Sequence, residues 1–347
     1  MHKNEMRLLP RRRNDCAEND NRCGVRRRKL PHSEGATQEP PEPVNLATPY
    51  LGLNLTSPLV VGASPFCDNL HHARKLQDLG AGALVMRSLF EEQLEPPPPP
   101  PRRTPTWSDD AGASEDFPEF ADYQLSPEGY VRQVARLKEN LSIPLIASLN
   151  GSRPGPWVEF ARRLERAGAD AIELNFYRVV TDVTIGADQI ETDMLETVGL
   201  MVGAVRIPVA VKLSPFHTSM AQLAIALELA GASGVVVFNR FYQPDVNTAE
   251  LEVQPILRLS EPEEILLRLR WLAILSPNLR GSLAATGGFH TSDDIVKALL
   301  TGAHAVQLVS VLLRHGPAVL STLAQGVQRW MKTVSYTHLT LPTNREV

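Results

Sequence analysis

Three cysteines, Cys16, Cys23 and Cys67, are spread over 347 residues. So sparse and odd a set does not describe a disulfide framework, and a reducing cytoplasmic setting is expected. Cys16 and Cys23 lack the spacing of a CxxC site, and the chain has too few cysteines for an iron–sulfur centre, so no metal is expected. Long apolar runs are missing as well. None approaches the roughly 18 residues that cross a bilayer, so no membrane association is expected. Charge of one sign is also scarce: the formal net charge is −4, which gives no general reason to expect nucleic-acid binding.

Two stretches differ in kind from the rest. Residues 1–43 carry basic clusters around Arg11–Arg13 and Arg26–Lys29, followed by the Pro/Glu-rich QEPPEPV. They read as a disordered or non-native tail, with a basic arm for anionic partners as the sharper alternative. Residues 334–347, VSYTHLTLPTNREV, show neither helical nor strand periodicity and read as a second non-native tail.

Between them, over 44–333, short β-rich apolar runs alternate with amphipathic segments. The runs are PLVVGA, ALVMRS, PLIASL, DAIELN, PVAVKL, GVVVFN, SLAATG and HAVQLV. Several intervening segments end in AGA or GA, where glycine suits a left-handed helix stop. Eight such units predict a single (β/α)8 barrel, a fold of about 250 residues. A doubly wound sheet is the alternative, but no midpoint marks a reversal of strand order.

In this barrel the chemistry sits at the C-terminal strand ends. Strands buried on both faces should be apolar throughout. Yet Ser64, Arg87, Ser88, Asn150, Asn175, Lys212, Asn239, Arg240, Thr286 and Ser310 all fall at or just beyond that level. Each could be a solvent cap; as a set they suggest one side of a ligand site. Thr286-Gly287-Gly288 follows the seventh run directly, where glycines let backbone N–H groups approach a phosphate. A tight turn without ligand is the alternative. Ser292, Asp293 and Asp294 then read as helix-capping residues. Lys212 inside a barrel needs a counter-charge, either Glu173 or an anionic ring. Asn150, Asn175 and Asn239 can donate and accept, which suits a flavin or a pyrimidine.

These residues resemble the class 1 dihydroorotate dehydrogenase family. The resemblance rests on GAS after the first run, LN ending the fourth, VKL, FN, and TGG with AVQ. SLFEEQ, ASLNG, VKLSPF and FNRFYQPD are similar to the branch of dihydroorotate dehydrogenase-like proteins in particular. The resemblance implies an FMN-binding barrel, cytosolic and often dimeric, that oxidises a dihydropyrimidine in pyrimidine biosynthesis. It implies that Gly287, Gly288, Ser310 and the Val309 backbone hold the FMN phosphate. Ala63, Arg87, Ser88, Asn150 and Asn175 would line the ring, and Lys212 would stabilise negative charge on it. Asn175, Asn239 and Arg240 would meet the substrate. The electron acceptor is expected to be soluble.

Several positions depart from the family. Arg87 stands where it generally has lysine, and Val309 where it tends to have glycine. Its LNLSCPN motif, which carries the proton-accepting Cys, aligns with LNFYRVV, so that position falls on Arg178. Arginine does not deprotonate in proteins. Tyr177 is the first replacement candidate, ahead of His217 and Cys67, with Thr181 in the following loop. A Pro-rich insertion over 95–125 is expected on the catalytic face, as a lid or as a surface excursion. An FMN enzyme with another cyclic substrate, a flavin-binding protein without turnover, and a flavin-free phosphate-binding barrel remain alternatives.

Overall fold

The computed structural model describes residues 44–90, 93, 106–107, 125–151, 156–176, 180–240 and 243–334. An antiparallel hairpin comes first, β1 (Thr48–Tyr50) and β2 (Leu53–Leu55). There follow β3 (Leu59–Val61), α1 (Leu70–Asp78), β4 (Ala83–Val85), the short β5 (Leu89–Phe90) and β6 (Thr106–Trp107), and α2 (Pro127–Lys138). Next are β7 (Leu145–Asn150), α3 (Pro156–Arg166), β8 (Ala171–Asn175), α4 (Ala187–Ala204), β9 (Val209–Leu213), α5 (Met220–Leu229) and β10 (Gly234–Val237). A second hairpin, β11 (Gln243–Asn247) and β12 (Glu252–Leu257), precedes α6 (Ile265–Leu275). The chain continues through β13 (Ser282–Thr286), α7 (Ser292–Leu300), β14 (Ala305–Leu308), α8 (Ser310–His315) and α9 (Val319–Thr333).

The strands β4, β3, β14, β13, β10, β9, β8 and β7 pair in parallel in that order, and β4 also pairs with β7. The sheet therefore closes on itself, which gives the (β/α)8 barrel and excludes the doubly wound alternative. Gly168, Gly231 and Gly302 stand at φ values of 97°, 103° and 102° just past α3, α5 and α7, as the AGA and GA signals predict. Thr291, rather than Ser292, caps α7, and Asp294 completes a capping box with it. After β14 the chain forms two helices, the short α8 and then α9.

Alternation along the strands sorts the barrel wall into two faces. Outward residues such as Ile172, Leu174, Val209 and Val211 pack under the helices in the larger core. Many inward residues are small: Ala83, Ala171, Ala210, Ala284 and Ala305, with Val60, Val85, Ile146 and Val236, form the second core with the hairpin residues Tyr50, Leu51 and Leu55. That hairpin plugs one end. The small inward side chains leave room at the other for longer polar ones. Of the 95–125 insertion, only Thr106–Trp107 and Leu125 are described. The first two pair in parallel with Ile256–Leu257 of β12. Both terminal tails lie outside the described residues, apart from Val334. No described helix is long and apolar enough to cross a membrane.

Two histidines tie this fold to pH. Burial lowers the pKa of His217 and of His304 from 6.5. His304 Nδ1 also accepts the Leu283 N–H at 3.1 Å, which requires that nitrogen to be unprotonated. As pH falls, the unfolded chain takes up these protons first. The contribution to stability is therefore complete above about pH 6.5 and is lost as the pH drops towards the folded values. The thermal midpoint should fall between about pH 7.5 and about pH 5.5, and His304→Gln should flatten that slope. An unchanged slope in the variant would remove His304 from this account.

Candidate active site

Register places the first three polar residues. Asn150 on β7 is the lateral partner of Asn175 on β8, and Asn175 is the partner of Lys212 on β9. They form one row across three adjacent strands, at the barrel's C-terminal mouth. A cavity of about 370 Å³ opens there, within the range of small-molecule sites. Asn150, Asn175, Lys212 and Asn239 line it together with Ala63, Ser64, Arg87 and Ser88. Arg240, Thr286, Gly287, Gln307, Val309 and Ser310 complete the polar and backbone surface.

Each side chain in the row is held. Asn175 is buried, and its Nδ2 donates to Ser148 Oγ at 2.8 Å, Leu149 O at 3.2 Å and Ser88 Oγ at 3.4 Å. Ser88 and Ser148 are themselves 2.8 Å apart, and Tyr130 fixes the Ser148 backbone from outside the barrel. With the amide nitrogen committed to protein, Asn175 offers its Oδ1 to the cavity as an acceptor. Such a group suits a ring N–H.

Lys212 enters a closed triangle. Its Nζ donates to Glu173 Oε1 at 2.9 Å and to Gln307 Oε1 at 2.8 Å, while Gln307 Nε2 donates to Glu173 Oε2. Lys212 and Glu173 side chains are 8% and 1% exposed, so the pair is buried, with only Lys212 reaching the cavity. An ammonium has three donors, and two are used here. Lys212 therefore has both the structural ion pair and a remaining donor at the cavity wall. Of the two sequence alternatives, the ion pair with Glu173 is the one observed.

The opposite end of the cavity is built on glycine. Gly287 has φ +90°, and a Cβ there would come 2.8 Å from Arg268 Nη2. Gly288 does not line the cavity; its Cα faces the backbone at the start of α6, where a Cβ would come 2.5 Å from Ile265 N. Ser310 Oγ accepts the Ser260 N–H at 2.9 Å, which leaves its own proton for another acceptor. Arg268 has no place among the sequence candidates. It is buried, and its Nε donates to Thr286 O at 3.0 Å. Its signal is legible in hindsight: in ILLRLRWLAIL it occupies the inward stripe with Ile265, Leu272 and Leu275.

Other candidates fall away from the cavity. Cys67 and His217 are not in its lining. Burial, then the Asp68 carboxylate, push the Cys67 thiol well above its usual range, and so disable it as a base at neutral pH. Tyr177, Arg178 and most of the insertion lie outside the described residues; Thr181 lies beyond them in chain order and is exposed.

The cavity thus presents amide, hydroxyl, ammonium and guanidinium groups together with the glycine turn to one small-molecule-sized space. Ser64 Oγ supports a ligand there independently. It is buried, lines the cavity and has no hydrogen bond in good geometry; only the weak Cys67 thiol is close. The family model for dihydroorotate dehydrogenase matches residues 45–331. The chain belongs to the dihydroorotate dehydrogenase family. Its members are FMN-dependent oxidoreductases that act on CH–CH donors. A protein of Aeropyrum pernix, provisionally named dihydroorotate dehydrogenase A (fumarate), is 31% identical over 58% of this chain and 66% of its own length, just under two thirds. The NAD-dependent dihydropyrimidine dehydrogenase subunit PreA of Escherichia coli is 25% identical over 83% of this chain and 73% of its own. The catalytic subunit of dihydroorotate dehydrogenase B (NAD(+)) of Pyrococcus abyssi is 31% identical over 57% and 68%.

Proposed function

We propose that the barrel binds FMN and oxidises a dihydropyrimidine ring, with dihydroorotate as first candidate, to its unsaturated form. The row Asn150–Asn175–Lys212, facing one cavity with Asn239, carries this reading. When bound, FMN supplies the two-electron acceptor. The chain's residues do the rest. Asn150 and Asn175 orient a ring by its amide edges. Lys212, held by Glu173 and Gln307, presents a fixed N–H to negative charge that develops on a ring. Ala63, Ser88 and the Arg87 side pack beside it. Gly287, Val309 and Ser310 receive the phosphate, with Gly288 shaping the turn behind. Asn239 completes the substrate side in the family's pattern, and Tyr177 takes the proton-acceptor role in place of the family's Cys.

One observation favours a second substrate. Arg87, where the family generally has a lysine, is 2.6 Å from Asp68. A guanidinium already engaged by a carboxylate has less attraction for a carboxylate on the substrate, which suits an uncharged dihydropyrimidine. PreA is named for that ring class. Two relatives are named as subunits, which supports a partner that passes electrons to a soluble acceptor. A cytoplasmic homodimer is part of the same reading.

Anaerobic mixing of the FMN-loaded protein with dihydroorotate and, separately, with dihydrouracil tests it. Flavin absorbance should bleach with at least one. Bleaching with dihydrouracil alone selects the second substrate. FMN uptake without bleaching by either would leave the non-catalytic reading standing, and absence of FMN uptake would end the flavin reading altogether.

A further inference from the structure

The cations around the cavity each face one carboxylate, except at one place. Among the described residues Lys212 faces Glu173, Arg87 faces Asp68, and Arg258 lies 3.7 Å from Asp245. Arg240 Nη2 lies 3.4 Å from Glu264 Oε1, yet Glu264 Oε2 already receives Arg268 Nη2 at 3.2 Å. Two guanidiniums share one carboxylate. The adjoining Arg314–Glu261 pair adds no net charge. The linked group therefore holds three arginines against two glutamates, and one positive charge is left over.

Arg268 fixes where the surplus lies. Its guanidinium donates to Thr286 O and, at 2.9 Å, to Glu264 O, and it backs directly onto Gly287. Arg240 lines the cavity on the same side, tethered to Arg268 through Glu264. Its side chain is 33% exposed, so it has freedom to turn into the cavity. Burial works against its charge, and Glu264 and Glu261 only partly offset this. Because an arginine keeps its proton, an incoming anion is what relieves the imbalance. A phosphate monoester, with about 1.5 to 2 negative charges, answers it better than a substrate carboxylate with one.

Resting on the cofactor reading above, we propose that Arg240 binds the cofactor's terminal phosphate rather than the substrate, and that Arg268 is the buried cation that positions the Thr286–Gly287 turn for it. A neutral Asn239 is then left as the substrate contact of the FNR segment.

FMN and riboflavin differ only in that phosphate, so they separate the two roles. The apoprotein is titrated with each, following quenching of flavin fluorescence. Arg240→Gln should weaken FMN about tenfold, the size of one charge-assisted contact, and change riboflavin by less than about twofold. Glu264→Gln keeps the acceptor for the Glu261 N–H and removes a negative charge, so it should tighten FMN while leaving riboflavin unchanged. Damage to the fold cannot produce that opposite sign. If Arg240→Gln leaves FMN affinity intact, or weakens both ligands equally, the assignment to phosphate is wrong. If it leaves FMN intact and raises the substrate KM, Arg240 belongs to the substrate. If the wild-type apoprotein binds neither flavin, the cofactor reading itself has failed, and this assignment with it.

Discussion

Lys212→Ala should slow anaerobic flavin reduction by about 10²- to 10³-fold, the usual cost of losing one preorganised donor to developing charge. The effect should appear in the reduction rate more than in substrate affinity, because the charge grows only as the ring is reduced. The variant will also lose stability, since Glu173 is left without its cation, and a slow rate alone could be blamed on a damaged fold. The double variant Lys212→Met with Glu173→Leu answers this. It removes both charges and fills the space with apolar atoms, so it should recover most of the stability and none of the rate. Stopped-flow reduction and thermal melting of both variants check the pair of outcomes. Recovery of the rate in the double variant would mean that Lys212 serves the fold and not the chemistry.

The barrel was legible because two kinds of signal agreed. Apolar runs such as PVAVKL and GVVVFN mark strands buried on both faces, and Gly168, Gly231 and Gly302 mark helix ends at positive φ. The row Asn150–Asn175–Lys212 was visible as polar residues at strand ends. That they adjoin one another depends on strand register, which involves residues about 25 to 40 positions apart and leaves no local pattern. Glu173 stood out as a carboxylate inside IELN, and its pairing with Lys212 was one of two expectations. Gln307 in AVQ carries no local signal of a role; only the closed barrel brings it to Lys212, 95 positions away. Arg268 is hard to single out because α6 is apolar on nearly every side and carries a second arginine, Arg270, so that either looks like a solvent residue until the buried face is known. Gly288 has a packing reason to be glycine that the sequence does not show: a Cβ there would meet the backbone at the start of α6. The replacement for the family's Cys stays with Tyr177 as a proposal, to be tested by whether Tyr177→Phe abolishes reduction.

The buried triangle makes a second large effect, on stability. Glu173→Leu should cost about 3–5 kcal/mol, because it leaves the Lys212 ammonium sealed in the barrel with Gln307 as its sole described partner. For a domain of this size that corresponds to a fall in melting midpoint of roughly 10 °C. The loss does not mean that the ion pair stabilises the barrel by so much. Desolvating two charges costs several kcal/mol each, and their attraction mostly returns it, so replacing both partners at once should recover most of the loss, short of the cost of leaving the buried Gln307 amide without them. The barrel therefore gains little stability from keeping Glu173 and Lys212 instead of two apolar residues. What it gains is position: Gln307 bonds to both, and the three together leave one lysine N–H at the cavity wall. A stability cost for Glu173→Leu that the double variant does not relieve would show that the triangle is structural in its own right. Relief of stability with continued loss of flavin reduction would show that the charge was retained for the site.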